Sequence, residues 1–249
     1  MLFGSRVIAV VPALDEEPRI ARVVETMPAF VDRVIVVDDG SSDRTADAAR
    51  AAKSMARVDV LSHARRSGVF AAIATGYRHA LAEPGDANDA FVVLAGDGQM
   101  DPDDLIHVAT PIVRGEAGYV KGNRFAVDDA AGMPAARWVG GRLFSRMTAV
   151  ALGTEVNDSQ SGFTGIARWA CERLDLGSIW PGYGYPNDLL AALVRERIPF
   201  AEVPVRAVYE GAQSRLRAGD VVVIAGLVGR AYFRRLGRSQ AAQFFAHFT

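Results

Sequence analysis

Cysteine is nearly missing from this sequence. Among 249 residues there is one, Cys171. That count excludes a disulfide framework and a multi-thiol zinc site. A lone thiol is expected to sit partly buried in a chain kept in a reducing compartment. Histidine is sparse too, and His63, His79, His107 and His247 fall at no metal-ligand spacing. No charge sign dominates: 28 basic residues face 29 acidic ones, so a globally basic, nucleic-acid-binding surface is not expected. Long apolar runs are also lacking. The longest uncharged one near the C-terminus covers residues 221–229, well short of the roughly 20 residues that cross a bilayer. Residues 1–6 do not read as a cleaved leader. The expectation is a cytoplasmic protein, soluble or peripheral on the cytoplasmic membrane face. Neither G-x-G-x-x-G nor G-x-x-x-x-G-K occurs, so the usual glycine-rich diphosphate cradles are missing.

What is present is hydrophobic patterning. Half of the residues are hydrophobic, enough for a sizeable core. Strands are expected at 6–11, 31–37, 58–61 and 90–94. Helices are expected from Pro18 to about 27, over about 45–53, over Val69–Leu81, and from an Asp101 cap with Pro102 in the first turn to about 114. The second half is less regular, with strands at 120–124, 161–167 and 200–208 and helices at 137–152, 186–197 and 218–237. Strands alternating with helices define an α/β fold with a mostly parallel central sheet flanked by helices. Ligands of such sheets sit at the carboxyl ends of the strands. Three loops are marked by that rule, 12–17, 38–43 and 95–101, and all three are acidic.

Carboxylates at those places would repel a bare diphosphate but could accept hydrogen bonds from a base or ribose. A diphosphate here needs a cation. Mg²⁺ and Mn²⁺ take oxygen ligands and usually keep water and substrate phosphate in their shell. Asp97 offers a carboxylate and Gln99 an amide oxygen, two residues apart at a strand end, with Gly96 and Gly98 leaving room. The alternative is that Gly96-Asp97-Gly98 is simply a turn.

The ordered segments Val11-Pro12-Ala13-Leu14-Asp15-Glu16-Glu17, Val36-Val37-Asp38-Asp39-Gly40-Ser41-Ser42-Asp43, Gly68 with Ala72 and Gly76, and Asp97-Gly98-Gln99 with Asp101-Pro102 resemble a known family. Gly122-Asn123-Arg124-Phe125, Arg137, Asp158-Ser159-Gln160-Ser161-Gly162-Phe163, Tyr183-Gly184-Tyr185 and Glu202-Val203-Pro204-Val205 continue the match. The resemblance is to GT-A fold, family 2 glycosyltransferases, in the subgroup of dolichyl- and polyprenyl-phosphate sugar synthases, and it spans roughly residues 6 to 216. It implies a GT-A nucleotide-diphospho-sugar transferase domain over 1–217, with 218–249 as a C-terminal helix and tail. Donor-binding roles are implied for Pro12, Ala13, Asp15, Glu16, Asp38, Asp39, Arg66 and Gly68. Metal-binding roles are implied for Asp97 and Gln99, with Mg²⁺ or Mn²⁺ as cofactor. Acceptor-binding roles are implied for Arg124, Arg137 and Arg215, since a guanidinium matches phosphate oxygens. Three departures stand out. Ala95 replaces the first acid of the usual D-x-D pattern, Asp15 stands where Asn is usual, and Tyr209 stands where the lipid-phosphate enzymes tend to carry Arg.

The resemblance implies inverting transfer from a UDP- or GDP-sugar to a polyprenyl or dolichyl phosphate. A soluble alcohol or saccharide acceptor is an alternative, and a nucleotide-sugar-binding module without turnover is another. A phosphate acceptor needs orientation, whereas an alcohol needs a general base. The catalytic candidates are Asp97, Asp188 and Asp158. Asp188 is also suited to first-turn capping, and Asp158 to holding a loop. The segment 221–235 is apolar, then basic and aromatic. It suits a membrane interface, or a helix packed on the core or on a second copy of the chain.

Overall fold

The β-branched runs form strands and the amphipathic stretches between them form helices. The computed structural model describes residues 1–126, 133, 135–206 and 218–246, with 136, 218 and 238–246 described by backbone alone. The strands are β1 (Val7–Ala13), β2 (Arg33–Asp38), β3 (Arg57–Ser62), β4 (Ala90–Val93), β5 (Tyr119–Asn123), β6 (Thr164–Ala167) and β7 (Phe200–Pro204). The helices are α1 (Glu17–Glu25), α2 (Thr45–Ala51), α3 (Val69–Leu81), α4 (Leu105–Val113), α5 (Ala135–Leu152), α6 (Arg168–Arg173), α7 (Tyr185–Arg195) and α8 (Ala218–Ala246).

One seven-stranded sheet runs in the order β3-β2-β1-β4-β6-β5-β7. Every neighbouring pair is parallel except β4–β6 and β6–β5. Strands β2 and β4 are buried along their whole length, because helices cover both faces of the sheet. Helix α3 packs so closely on β1 that a Cβ at Gly76 would lie 2.4 Å from Val10 Cγ1.

Topology then positions the site. The chain leaves β1 for β2 and β3 on one side and returns to β4 on the other, so the carboxyl ends of β1 and β4 form a switch point. Because β6 runs against its neighbours, the segment entering it meets the carboxyl ends of β1, β2, β4, β5 and β7 at one edge. The loops 12–16, 38–43, 94–101 and 160–163, with Arg124 and Arg206, are gathered there.

The expected alternation holds throughout the first half. The strand expected at 161–167 begins later, at Thr164, because the Ser161 carbonyl takes the Lys121 ammonium instead of joining the ladder. The short helix α6 was not anticipated. Helix α8 passes the expected end at 237 and packs on α5 through Ala151, Ile224 and Val228. The expected strand residues 207–208, Tyr209, Arg215 and His247 lie outside the described residues.

Candidate active site

The first wall is built from loops locked to one another by carboxylates. Asp38 accepts from the backbone N–H of Ser41 at 3.1 Å and from the Ser41 hydroxyl. Ser41 Oγ in turn accepts from the Asp15 N–H at 2.9 Å. Asp15, at φ +54°, accepts from Ser42 N at 2.8 Å and Ser42 Oγ at 3.1 Å. Asp15 and Asp38 therefore tie the first acidic loop to the second, and neither lines the cavity between β1 and β4. Glu16 does line it, with its N–H donating to Thr45 Oγ1 at 2.8 Å and its carboxylate accepting from Arg19 at 3.0 Å.

Asp39 is buried and holds three partners. Oδ1 accepts from Ser67 N at 2.8 Å and pairs with His63 Nδ1 at 2.8 Å, while Oδ2 accepts from Gly68 N at 2.8 Å. His63 is held in turn by Thr75 Oγ1 at 3.0 Å. These bonds fix the 63–68 loop and bring Arg66 and Gly68 to the cavity wall. Gly68 has φ +109°, and a Cβ there would lie 2.6 Å from the Pro181 carbonyl oxygen, so only glycine fits without strain.

The cavity has a volume of about 280 Å³. Of the sequence-derived candidates, Pro12, Ala13, Glu16, Asp39, Arg66, Gly68 and Asp97 line it. Tyr183 and Tyr185 close it from the loop before and the start of α7.

At its far end the loop after β4 turns through Asp97. Asp97 Oδ1 accepts from Gln99 N at 3.0 Å and Oδ2 accepts from Gln99 Nε2 at 2.9 Å. Among the described residues no three His, Cys, Asp or Glu side chains converge to hold a metal. A hard divalent cation still fits the donor chemistry, because each Asp97 oxygen keeps a lone pair beyond its hydrogen bond. Gln99, as placed, turns its amide nitrogen toward Asp97, so its oxygen would need a rotated amide to join the shell. Ala95 adds no ligand.

A second, smaller cavity of about 90 Å³ shares Asp97, Met100 and Gly162 with the first and is also lined by Gln99, Arg124, Arg137 and Arg206. Arg124 is oriented by Asp158, which is fully buried. Asp158 Oδ2 accepts from Arg124 Nε at 2.7 Å and from its backbone N–H at 3.1 Å, and Oδ1 accepts from Nη2 at 2.9 Å. Burial pushes the Asp158 carboxyl up, but the Arg124 hydrogen bonds and the Arg124 and Lys121 charges outweigh it and hold the pKa below its ordinary value. Lys121 is fully buried beside this pair, and burial lowers its pKa to about 8. Asp188 lies elsewhere: it accepts from Trp180 N at 2.9 Å and from Arg230 Nη2 of α8 at 2.5 Å. It lines a separate cavity under α8, while its neighbours Tyr185 and Pro186 face the donor-side cavity.

Lys121 and Arg206 were not singled out from sequence. Arg206 follows a strand end, so the rule that marked the acidic loops also applies to it. Lys121 sits mid-strand, where a buried lysine leaves no local signal.

A mostly parallel sheet whose switch point opens on an acidic strand-end loop, flanked by an arginine-lined recess, defines a GT-A type transferase. The chain belongs to glycosyl transferase family 2, whose profile matches residues 8–174, and it is a glycosyltransferase of that family. It is 28% identical over 244 residues to a UDP-N-acetylglucosamine–dolichyl-phosphate N-acetylglucosaminyltransferase of Methanococcus voltae, covering 92% of this chain and 96% of that protein. It is 24% identical to a dolichol-phosphate mannosyltransferase of Pyrococcus furiosus, covering 70% of this chain and 49% of that protein. The fold matches glucosyl-3-phosphoglycerate synthase of Mycobacterium tuberculosis with a TM-score of 0.61 at 25% identity, covering 94% of this chain and 81% of the other. A further structure of that synthase holds Mn²⁺, UDP and glucosyl-3-phosphoglycerate.

Proposed function

We propose that this enzyme moves a sugar, with inversion, from a UDP- or GDP-sugar to a polyprenyl or dolichyl phosphate at a membrane surface. One observation carries the reading: the arginine-lined recess opens onto the same Asp97 that ends the donor-side cavity. A phosphate held by arginines there would lie against the sugar end of a donor lying in the larger cavity.

In this reading Glu16 and the Asp39-held loop with Arg66 and Gly68 enclose the nucleoside, while Asp15 and Asp38 keep that wall in shape. Asp97, assisted by Gln99, would hold Mg²⁺ or Mn²⁺ against the donor diphosphate. Bound there, the cation would neutralise charge on the departing nucleoside diphosphate. Arg124 and Arg137 orient the acceptor, and Asp158 orients Arg124. A phosphate monoester has its second pKa near 6 and is already anionic at neutral pH. The reaction then needs no proton acceptor, which agrees with Asp158 and Asp188 both being committed to arginines.

Helix α5, which brings Arg137 to the recess, and helix α8, which packs on α5, favour a lipid acceptor over a soluble one. The outer face of α5 presents Val139, Leu143 and Val150, each more than half exposed, and α8 presents Val222 at 73% and Phe233 at 70%. α5 carries three arginines and no acid, and α8 carries four arginines with Asp220 as its one acid, in a chain of net charge −1. Apolar surface rimmed by arginine suits an anionic membrane interface. No described helix is long and apolar enough to cross a membrane.

The donor half is tested by thermal shift with UDP, GDP and their sugars, with and without Mn²⁺, on the wild type and Asp97→Ala. A ligand that binds the folded state raises its apparent stability. The expected result is a Mn²⁺-dependent shift with one nucleotide that Asp97→Ala abolishes. No shift with any of them refutes the reading.

A further inference from the structure

We propose that Arg206 is a direct contact for the acceptor phosphate, completing with Arg124 and Arg137 a three-arginine anion subsite beside Asp97. This inference rests on the acceptor reading above and names a residue for it.

The local structure aims Arg206 at the recess. Val205 is buried, and it packs so tightly on β5 that a Cβ at Gly122 would lie 2.6 Å from Val205 Cγ2. Val205 and Arg206 both line the recess, Val205 as its buried floor and Arg206 at its more exposed side. Two carboxylates then set its guanidinium. Asp104 Oδ2 accepts from Arg206 N at 2.6 Å, and Asp104 Oδ1 accepts from Nε at 3.1 Å and Nη2 at 2.8 Å. Asp101 pairs with Nη2 at 3.1 Å. Nη1 makes no hydrogen bond with any described residue, and the side chain is 51% exposed.

A purely structural tie between the end of β7 and the start of α4 is already made by the backbone N–H of Arg206 on Asp104. The guanidinium adds orientation, and Arg206 lines a recess about 90 Å³ in volume, a scale that suits a phosphate group and not a sugar nucleotide. The chemistry is that of a charge-assisted fork on phosphate oxygens with its rotamer fixed beforehand. It also bears on Tyr209, which stands where an arginine would be expected from the sequence resemblance: Arg206 supplies a cation from a different position on the same segment.

The test measures binding of a water-soluble isoprenyl monophosphate, 3-phosphoglycerate and inorganic phosphate to the UDP- and Mn²⁺-loaded protein, by calorimetry. Wild type, Arg206→Ala, Arg206→Gln and Arg206→Lys are compared. The UDP-dependent thermal shift of each variant reports that the fold and donor site are intact. The expected result is that Ala and Gln weaken phosphate-probe binding about ten- to hundredfold, with Lys in between. Unchanged affinity in a folded Ala or Gln variant overturns the assignment and leaves the acceptor reading standing. Binding of 3-phosphoglycerate but not isoprenyl phosphate by wild type, still weakened by Arg206→Ala, supports the subsite while refuting the lipid acceptor. Failure of every phosphate probe to bind wild type overturns the subsite.

Discussion

Replacing Asp158 with alanine separates a positioning role from a catalytic-base role. Asp158 is fully buried and gives three hydrogen-bond acceptances to Arg124. Its charge also favours the protonated form of Lys121. Removing it takes a buried counter-charge from both the Arg124 guanidinium and the buried Lys121 ammonium, which costs about 3–5 kcal/mol. For a chain of this size that corresponds to a fall in Tm of roughly 6–20 °C. The pH dependence carries a second signature. The folded-state pKa of Lys121 is lowered from 10.5 to about 8, so keeping it protonated in the fold costs about 3 kcal/mol. That cost is present in full below pH 8 and is relieved as pH rises toward 10.5, where the unfolded chain binds more protons than the folded one. Without Asp158 the folded pKa drops further, so the variant gains stability between pH 7 and 9 where wild type gains less. Urea unfolding from pH 6 to 9 reads both effects, and Lys121→Met in the Asp158→Ala background removes the extra pH slope. Stability within about 0.5 kcal/mol of wild type, or an unchanged pH profile, would refute the reasoning.

Three further outcomes follow from the same geometry. Asp188→Asn keeps an acceptor for Trp180 N and loses the charge pairing with Arg230, so kcat should fall less than about tenfold, whereas loss of a general base costs about 10²–10⁴; steady-state kinetics decide. Gly68→Ala forces a side chain into φ +109° and against the Pro181 carbonyl, which should cost about 1–3 kcal/mol and weaken UDP binding, read by thermal melts and calorimetry. Leu143→Asp and Phe233→Asp, on exposed apolar positions of α5 and α8, should reduce sedimentation with anionic lipid vesicles while leaving the UDP-dependent shift intact.

Much of the first half was legible because its strands are continuous β-branched runs and its loops carry turn and cap residues. The β1 and β4 strand ends could therefore be located, and with them Pro12, Glu16 and Asp97. Other features were not legible because they depend on partners distant in sequence. The antiparallel setting of β6 comes from pairing between β4 and β5, which no local period encodes. Asp158 and Arg124 are 34 residues apart, and their pairing makes a carboxylate that resembles a base into a clamp. The family resemblance makes Asp188 a candidate acid near the acceptor, but its side chain meets Arg230, a residue 42 positions away. Asp15 reaches across to Ser42 of the second acidic loop and Asp38 bonds Ser41 within its own loop, so neither faces the cavity. Arg206 gains its significance from Asp101 and Asp104, about a hundred residues earlier.

The most direct test is transfer itself. The purified protein is given the UDP- or GDP-sugar selected by thermal shift, Mn²⁺, and either a short-chain isoprenyl monophosphate or the matching isoprenyl alcohol. Nucleoside diphosphate release and the glycosylated product are followed together. The account predicts release coupled to a sugar–phosphate ester with the monophosphate and none with the alcohol. Glycosylation of the alcohol in preference to the phosphate would contradict it.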